Sequence, residues 1–379
     1  MQKANQQKTW LEVSKDNLLF NLEQFRKRVG DRVKIMGVVK SNAYGHGIEQ
    51  TAEIIQDKVD CFGVDSIDEA FHINTNKKYT LILGYTLIER LDEVVQNGFH
   101  QVVANIETLD KLDQITKKLE KESYIHLKIE TGTSRQGIFE SDLDKFLEYF
   151  KNNEKLILAG VSTHFANIED TTDHSYAEGQ LAKYKSAIEK IGKVASTNFI
   201  RHTACSAAAV LFPETYFDMV RLGISMYGMW SSRETQVSAT QMGIEIELKP
   251  ALTWKTKIAH LKMLSAGTSV SYGCTEKLSS DSKVAVLPIG YWDGYDRGLS
   301  SIGNALVGGK RCRVIGRVCM NMIVIDVDHV KDVKLEDEVV LLGKQGSEEI
   351  TADEIAFKLD TINYEITTRI NQNIKRIVI

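Results

Sequence analysis

The sequence has little proline, few cysteines and no long hydrophobic run. Only three of its 379 residues are proline, so its turns must depend on its 26 glycines and on Asn and Asp. The five cysteines are odd in number and form no CxxC pair, which argues against a disulfide framework or a structural zinc site and favours a reducing compartment. No apolar run approaches the roughly 18 residues that a membrane-spanning helix needs.

The charge is nearly balanced, with 47 Lys and Arg against 51 Asp and Glu and a formal net charge of −4. This balance argues against a strongly basic surface of the kind that binds nucleic acid. The 43% of hydrophobic and 26% of charged residues are typical of globular proteins and exclude a disordered chain. The start, MQKANQQKTW, lacks the apolar segment of a signal peptide. We therefore expect a cytoplasmic protein that binds neither nucleic acid nor membrane.

Eight short apolar runs alternate with amphipathic segments in the first part of the chain. They are VKIMGVVK (33–40), DCFGVDS (60–66), YTLILGY (79–85), HQVVAN (100–105), SYIHLKIET (123–131), LILAGVSTHF (156–165), NFIRHTACS (198–206) and FDMVRLGI (217–224). Apolar strands interleaved with helices indicate a parallel sheet covered by helices. Eight such units suit a closed (β/α)8 barrel. A doubly wound open sheet is the alternative, but no G-x-G-x-x-G follows the first strand.

The pattern changes after Trp230. SSRETQVSATQMG is polar and unpatterned and predicts a linker. From Pro250 onward strands dominate, in ALTWKTKIAHL, TSVSYG, SKVAVLPIG, RCRVIGRV, MIVIDV and EVVLLG, with one helical stretch, TADEIAFKLD. We predict an α/β fold with a (β/α)8 TIM-type barrel over residues 1–235, followed by a mainly β domain over residues 236–379.

Polar residues at the ends of barrel strands are the candidates for chemistry, because barrel active sites form there. Lys40 ends the first run, and we expect partial desolvation to lower its pKa and free its amine for a Schiff base. Arg135, His164, Ser206 and Arg221 follow or end later strands. Taken singly, these residues have ordinary explanations. Lys40 could be a lysine that reaches solvent and Arg135 part of a surface ion pair. His164 could be a core histidine and Ser206 a helix cap. Together they predict a pocket for an anionic, ring-bearing cofactor, and the lysine points to pyridoxal phosphate.

The run VVKSNAYGHG closely resembles the pyridoxal-phosphate-lysine motif of the alanine racemases. The resemblance continues, in the family's order, through HLKIETGTSRQG, STHF, FDMVRLGISMYG, VSYG, PIGYWDGYDR, GRVCMNM and TINYE. It covers nearly the whole chain and implies a pyridoxal-phosphate-dependent amino-acid racemase, an isomerase. The family's fold is a barrel with a β domain, in which the first strand, here KTWLEV, joins the β domain.

The resemblance implies two catalytic bases on opposite faces of the substrate's α-carbon. Lys40 corresponds to the lysine that carries the cofactor and serves one face. Tyr272 corresponds to the tyrosine that serves the other face, from the partner subunit of a head-to-tail homodimer with shared active sites. One base removes the α-proton and the other returns a proton from the far side.

The resemblance also implies the cofactor's contacts. The positions that match the family's phosphate-binding residues are Tyr44, Ser206, Gly223, Ile224 and Tyr364. His164 resembles the histidine that stacks on the ring. Arg221 resembles the arginine that faces the pyridine nitrogen, with His202 as its orienting partner. Because arginine keeps its proton at neutral pH, the ring nitrogen should stay unprotonated and the ring should be a weaker electron sink.

The remaining matches concern the substrate, and no metal is expected. Arg135 resembles the arginine that contacts the cofactor's phenolic oxygen and the substrate carboxylate, and Met320 the residue whose backbone N–H binds that carboxylate. Lys128 matches a lysine often carbamylated to hold the arginine. The residues that match the walls of the access channel are Tyr291, Arg297 and Arg317.

Some positions depart from the family's pattern. Asn321 stands where Asp is common, Cys205 where Asn precedes the phosphate-binding serine, and Trp292 where Ala is frequent. Thr133 and Ser134 stand where Met-Gly is frequent. None of these removes a catalytic group, but they leave the substrate breadth open.

The main hypothesis is an alanine racemase that supplies D-alanine for peptidoglycan precursors. A serine racemase or a racemase of broader specificity on the same scaffold is the first alternative. A fold-related decarboxylase would place a carboxylate against the pyridine nitrogen, and Arg221 argues against it. A non-enzymatic carrier of pyridoxal phosphate is a short single-domain chain, without the second domain predicted here.

Overall fold

The computed structural model describes residues 6–73, 78–169, 171–194 and 198–379. They form two compact units: a barrel unit, Asn17–Ala43 and Thr51–Lys249, and a β unit, which comprises the described residues up to Asp16, Tyr44–Gln50 and Pro250–Ile379. Residues 236–249, which the sequence pattern assigned to the second domain, lie in the barrel unit. The first five residues of the segment expected to lack a signal peptide lie outside the described residues. Among those described, no helix is long and apolar enough to span a bilayer.

The barrel unit contains eight parallel strands, and all eight predicted strands are confirmed. After β1 (Thr9–Val13), which belongs to the β unit, they are β2 (Lys34–Val38), β3 (Cys61–Val64), β4 (Thr80–Ile82), β5 (His100–Val103), β6 (Ser123–Lys128), β7 (Leu156–Ser162), β8 (Ile200–His202) and β9 (Met219–Leu222). Their order in the sheet is β8-β7-β6-β5-β4-β3-β2-β9. The two end strands approach each other through backbone bonds from Asp218 to Arg201 (3.1 Å) and from Arg221 to Ala204 (2.9 Å). The sheet is therefore a nearly closed (β/α)8 barrel.

Helices connect most of these strands. They are α1 (Lys15–Val29), α2 (Lys40–Tyr44), α3 (Ile48–Ile55), α4 (Ile67–Phe71), α5 (Leu91–Gln96), α6 (Ile106–Leu119), α7 (Leu143–Asn152), α8 (Ser175–Val194), α9 (Ser206–Leu211) and α10 (Arg233–Gln241). In α6 the Asn105 side chain caps the first turn by accepting a hydrogen bond from the backbone N–H of Thr108, while Lys117 and Lys118 lie in the last turn. Most strand residues are buried, as expected of a parallel sheet covered by helices.

The β unit is mainly antiparallel. Its further strands are β10 (Leu252–Lys257), β11 (His260–Leu264), β12 (Ser269–Val270), β13 (Glu276–Lys277), β14 (Ser282–Leu287), β15 (Asn304–Val307), β16 (Lys310–Arg313), β17 (Ile323–Asp326), β18 (Glu338–Gln345), β19 (Glu348–Ile350) and β20 (Lys375–Val378), with helices α11 (Ala352–Leu359) and α12 (Asn363–Thr368). The largest sheet has the order β16-β15-β18-β10-β1-β20, with β19 beside β18. Strand β1 thus lies between β10 and β20, the place in the β domain that the resemblance gives it.

Two expectations about secondary structure were wrong. The segment predicted as a linker contains helix α10, because the Ser232 hydroxyl caps its first turn by accepting from the N–H of Thr235. ALTWKTKIAHL is not one strand: it divides into β10 and β11, which lie in different sheets and are separated at the fully buried Ile258. Neither the cap nor the division produces a change in hydrophobic period that the sequence pattern could reveal.

Candidate active site

Five predicted site residues of the barrel unit lie at or near the carboxyl ends of its strands. Lys128 and His202 are the last residues of β6 and β8, and Arg221 lies in β9. Lys40 follows β2 and His164 follows β7. Because the carboxyl ends of parallel strands meet at one end of a barrel, these side chains converge on the end where barrel enzymes place their chemistry.

The backbone directly after Lys40 is left-handed. Residues Ser41–Tyr44 have φ between 53° and 55°, which costs roughly 1–2 kcal/mol for each residue with a Cβ. The Glu69 carboxylate stabilises this turn by accepting hydrogen bonds from the N–H groups of Ser41 (2.6 Å) and Asp65 (2.7 Å). Such strain is typical of functional sites, where the surrounding structure holds an otherwise unfavourable conformation.

Lys40 itself is of intermediate burial. Its side chain is 40% exposed, and its Nζ lies 4.0 Å from Oδ1 of Asp65. Lys40 is thus partly shielded from solvent and lies beside a carboxylate. The carboxylate beside it is a partner that the sequence pattern did not reveal.

Lys128 is the lysine whose protonation the barrel alters most clearly. Burial, then the positive charges of Arg135, Arg221 and Lys40, lower its pKa to about 8. A substantial fraction of Lys128 is thus a neutral amine near physiological pH. Only a neutral amine can react with carbon dioxide to form a carbamate, so the environment suits the modification that the resemblance implies.

The loop from β6 to Arg135 is held by polar contacts. One Glu130 carboxylate oxygen accepts the N–H groups of Gly132 (2.6 Å) and Ser134 (3.1 Å), and the Thr133 hydroxyl donates to the carbonyl of His164. Ser134 has φ 54°, a value that glycine adopts without strain. The family's glycine at this position is therefore replaced by a residue that must be held in place, and the Glu130 carboxylate does so. Arg135 is exposed.

Arg221 is a buried cation whose hydrogen bonds go to neutral acceptors. Nη1 donates to the carbonyl (2.8 Å) and Nδ1 (3.1 Å) of His202, and Nη2 to the carbonyls of Thr163 and Thr203 (both 2.9 Å) and to Nδ1 of His164 (3.2 Å). Burial and the Arg221 cation hold the pKa of His164 well below its ordinary value, so this imidazole is neutral. The guanidinium is fixed in orientation and keeps its positive charge.

Ser206 and the chain after β9 form a cradle of donors. The Ser206 hydroxyl accepts the N–H of Gly223 (3.1 Å) and lies 3.5 Å from the N–H of Ser225, which leaves its own proton for another acceptor. Ile224 begins a short 3-10 turn, Ile224–Tyr227, directly after Gly223. The Ser225 hydroxyl is buried and has no hydrogen-bond partner among the described residues. Buried donors without acceptors suit a phosphate.

In the β unit, Tyr44 and Tyr364 lie side by side, with ring centroids 6.0 Å apart. Tyr272 is 74% exposed and begins a short turn, Tyr272–Cys274. The residue before it, Ser271, has φ 65° and ψ −173°, a region almost restricted to glycine, and its hydroxyl donates to the carbonyl of Arg317 (2.6 Å). Tyr272 is thus presented to solvent by a strained, hydrogen-bonded turn.

Tyr291 and Met320 lie on adjoining segments of the β unit. The N–H of Tyr291 donates to the carbonyl of Cys319, and that of Trp292 to the carbonyl of Met320, both at 3.0 Å. A Cβ at Gly290 would lie 2.1 Å from the Cys319 carbonyl oxygen, so glycine permits this close approach. The side chains of Tyr291 and Met320 are exposed.

The two arginines assigned to the channel differ in their surroundings. A Cβ on Gly273 would lie 2.8 Å from Nη1 of Arg317, so this guanidinium lies against the turn that presents Tyr272. Arg297 is exposed and begins the 3-10 turn Arg297–Leu299.

The departures from the family's pattern have visible surroundings. Cys205 is buried and its thiol donates to the Glu169 carboxylate (3.4 Å), so it bonds to protein in place of the amide contacts of an asparagine. Trp292 is 62% exposed and lines, with Asn321 and Asn371, a polar groove of about 250 Å³ in the β unit.

The predicted site residues are divided between the two units. The barrel unit contains Lys40, Lys128, Arg135, His164, His202, Ser206, Arg221, Gly223 and Ile224, and the β unit contains Tyr44, Tyr272, Tyr291, Arg297, Arg317, Met320 and Tyr364. The sequence pattern missed Asp65 and Glu69 near Lys40, and His126, which alternates with Lys128 on β6. The alternation in HLK was the available signal for His126.

Comparison with known proteins gives matches over nearly the whole chain. The family model "Alanine racemase, N-terminal domain" matches residues 13–230, and "Alanine racemase, C-terminal domain" matches residues 251–378. An alanine racemase of Leptospira interrogans is 39% identical over 377 residues, with 98% of this chain and 96% of the relative covered. Alanine racemase 2 of Caldanaerobacter subterraneus is 37% identical, with 98% and 95% covered. The structure of an alanine racemase from Clostridium difficile superposes with a TM-score of 0.91 at 32% identity, covering 98% of this chain and 96% of that chain.

Proposed function

Because the chain belongs to the alanine racemase family, we propose that it interconverts L-alanine and D-alanine with pyridoxal 5'-phosphate as cofactor. The observation that carries the proposal is the group of cations, Lys40, Lys128 and Arg221, at the carboxyl ends of barrel strands beside the Ser206 cradle. The family is dependent on this cofactor, and a phosphorylated ring with an aldehyde requires an amine, a cation and a phosphate cradle of this kind.

The residues present fit the cofactor. The Ser225 hydroxyl, which has no partner in the described parts of the chain, and the Ser206 proton suit its phosphate. The resemblance adds Gly223, Ile224, Tyr44 and Tyr364 as further ligands. Arg221 would face the pyridine nitrogen and His164 would stack on the ring. When bound, the cofactor would supply an aldehyde that joins the amino group and a conjugated ring that acidifies the α-proton.

The chain's own residues would move the proton. Lys40, as a neutral amine, would accept the α-proton on one face of the substrate, while the Tyr272 hydroxyl of a partner subunit would donate a proton on the other face. The reverse reaction exchanges these roles. The 74% exposure of Tyr272 within a single chain supports a role in a homodimer whose active sites are shared.

Other residues would orient the substrate. Arg135 would bind its carboxylate, held by carbamylated Lys128, and the Met320 backbone N–H would bind the same group. Tyr291, Arg297 and Arg317 would line the access channel, where positive charge attracts a carboxylate. A small cytoplasmic amino acid would be the substrate of this site, and the D-alanine formed would enter peptidoglycan precursors.

A second candidate is a racemase that also accepts serine or larger amino acids. The observation in its favour is the presence of Trp292 and Asn321 at positions where the family more often has Ala and Asp. The decarboxylase alternative would need a carboxylate at the pyridine nitrogen, whereas the neutral acceptors around Arg221 stabilise a cation there.

The test is to incubate the purified protein and pyridoxal phosphate with each L-amino acid and to quantify the D-enantiomer. We expect D-alanine to form fastest. D-serine formed faster than D-alanine would favour the second candidate, and cofactor absorbance with no D-amino acid would support a carrier instead. Lys40→Ala should abolish the absorbance of the bound cofactor; if it persists, another lysine carries the group.

A further inference from the structure

A line of three histidines extends from Arg221 into the barrel interior. Nη1 of Arg221 lies 3.1 Å from Nδ1 of His202, and Nε2 of His202 lies 3.0 Å from Nδ1 of His126. Nε2 of His126 lies 3.1 Å from Nδ1 of His100. We call His202, His126 and His100 the histidine relay. Its first member is the orienting partner of Arg221 that the family resemblance implies, and the other two have no assigned role.

The register of the sheet shows that the relay crosses the barrel from one end toward the other. His202 is level with Ser162, His126 is level with Gly160, and His100 is level with Tyr124. Each step therefore descends by one layer of inward-facing residues. His100 is the first residue of β5, at the opposite end from Lys128 and Arg221.

The surrounding residues are shaped for these rings. A Cβ on Gly160 would lie 2.3 Å from Nδ1 of His126, so only glycine leaves space for that ring. His100 is stacked between Tyr79, with centroids 4.1 Å apart, and Tyr124, with centroids 4.6 Å apart. The sandwich fixes the ring that ends the relay.

The donors and acceptors permit a single assignment of protons. A guanidinium can only donate, so Nδ1 of His202 accepts and, in the neutral ring, its Nε2 carries the proton. That Nε2–H donates to Nδ1 of His126, whose Nε2–H donates to Nδ1 of His100. All three rings then have the same Nε2–H tautomer, with their lone pairs directed toward Arg221.

Burial keeps these rings neutral. Burial and then the Arg221 cation hold the pKa of His202 well below its ordinary value, and burial and then His100 do the same for His126. Burial lowers the pKa of His100 to about 4. A neutral relay adds no charge to the barrel interior.

We propose that His126 and His100 are positioning residues: by accepting the Nε2–H of His202 through the relay, they support the His202 tautomer that Arg221 requires and hold the orientation of the Arg221 guanidinium. Aligned imidazole dipoles present their negative ends to the cation and stabilise it without a carboxylate, so its positive charge is not cancelled. This inference rests on the proposed function in one respect: Arg221 must face the cofactor's pyridine nitrogen for the relay to influence catalysis.

The first experiment measures tautomers in the cofactor-free protein. Protein labelled with ¹⁵N in its nine histidines is examined by NMR near neutral pH, and resonances are assigned with single variants. The expected result is that His202, His126 and His100 each have a protonated Nε2 and an unprotonated Nδ1. A protonated Nδ1 on His202 or His126 would overturn the relay.

The second experiment uses His100→Phe, which retains a ring between the two tyrosines but removes the final acceptor. The expected result is a mixed tautomer at His202 and, because one neutral hydrogen bond is lost, a kcat for alanine about five-fold lower with an unchanged KM. Tyr79→Phe is the matched control, since it retains the stack and lies outside the relay. Unchanged His202 tautomer in His100→Phe, or an equal change in Tyr79→Phe, would contradict the proposal.

A third experiment uses two variants of His126 to separate an effect on the relay's hydrogen bonds from an effect on packing. His126→Asn places an acceptor near the position of Nδ1, whereas His126→Gln places its amide near Nε2 and leaves His202 without an acceptor. We expect the asparagine variant to preserve the His202 tautomer better than the glutamine variant does. Equal tautomer populations in the two variants would count against the relay.

The tautomer measurement does not depend on racemase activity. Correct tautomers in a protein without racemase activity would refute the proposed function alone, and wrong tautomers in an active racemase would refute the relay alone.

Discussion

The two lysines at the strand ends have different electrostatic surroundings. Both are of intermediate burial, but Lys40 lies beside the Asp65 carboxylate, whereas burial and three cationic side chains lower the pKa of Lys128 to about 8. A lysine at the end of a buried strand was predictable from the sequence, but the left-handed turn that follows Lys40 was not. The sequence signals burial along a strand and cannot show where the chain leaves it.

Lys128 provides a test at the residue scale. We expect incubation with ¹³C-bicarbonate to place one labelled carbamate on Lys128, with occupancy increasing as the pH rises through about 8, because only the neutral amine reacts. The measurement is the ¹³C NMR spectrum, and Lys128→Gln is the control in which the resonance should be missing. A resonance that persists in the variant, or no resonance in the unmodified chain, would contradict this assignment.

Tyr272 provides a second test. Replacing it with Phe should leave the absorbance of the bound cofactor intact, because Lys40 is unchanged. It should slow α-proton removal from one alanine enantiomer far more than from the other, since only one face loses its base. The measurement is exchange of the α-proton with deuterated solvent from each enantiomer. Equal slowing for both enantiomers would disprove two bases on opposite faces.

At the scale of elements, the barrel strands were predictable and helix α10 was not. Parallel strands buried on both faces give continuous apolar runs, which is why all eight were recognised. Helix α10 has a buried face made largely of Thr235, Ser238 and Ala239, so its hydrophobic period is weak. The start of the helix is marked by the cap at Ser232, which is a local hydrogen bond and leaves no periodic hydrophobic pattern in the sequence.

Ser232, which caps this helix, and Ser238 within it form a matched pair. Ser232→Ala should lower the free energy of unfolding by about 1 kcal/mol, since the N–H of Thr235 loses its cap. Ser238→Ala should be neutral or stabilising, because the Ser238 hydroxyl is buried and has no hydrogen-bond partner among the described residues. Denaturant titration of both variants measures the difference. A larger loss for Ser238→Ala would show that the cap is not what holds the helix.

For the whole molecule, the order of motifs along the chain predicted the barrel, the β domain and the family. The sequence did not reveal that residues 236–249 lie in the barrel unit. The sequence becomes polar after Trp230, but the boundary between the compact units falls later in the chain, after Lys249. It also did not indicate the histidine relay. His100 and His126 lie in predicted strands, but their connection depends on the register of adjacent strands, which is a property of the folded barrel.

The buried histidines predict how stability depends on pH. The unfolded chain binds a proton at His100 near the ordinary pKa of 6.5, whereas the folded chain does so only near 4. Below pH 6.5 the unfolded state therefore binds more protons, and the free energy of unfolding should fall as the pH is lowered to about 4, by about 3 kcal/mol for His100 alone. Denaturant titrations across this range measure the slope. His100→Phe should show a shallower slope, and an identical slope would contradict the assignment.

One time course tests whether this chain racemises alanine through bases on two faces of the α-carbon. The protein with pyridoxal phosphate is incubated in deuterated water with pure L-alanine and, separately, with pure D-alanine, and both enantiomers and their α-deuterium are measured. Both reactions should converge on equal amounts of the two enantiomers, with deuterium at the α-carbon, and Lys40→Ala should abolish both changes. Deuterium exchange without inversion, or no reaction of either enantiomer while the cofactor is bound, would show that the chain does not racemise alanine by this mechanism.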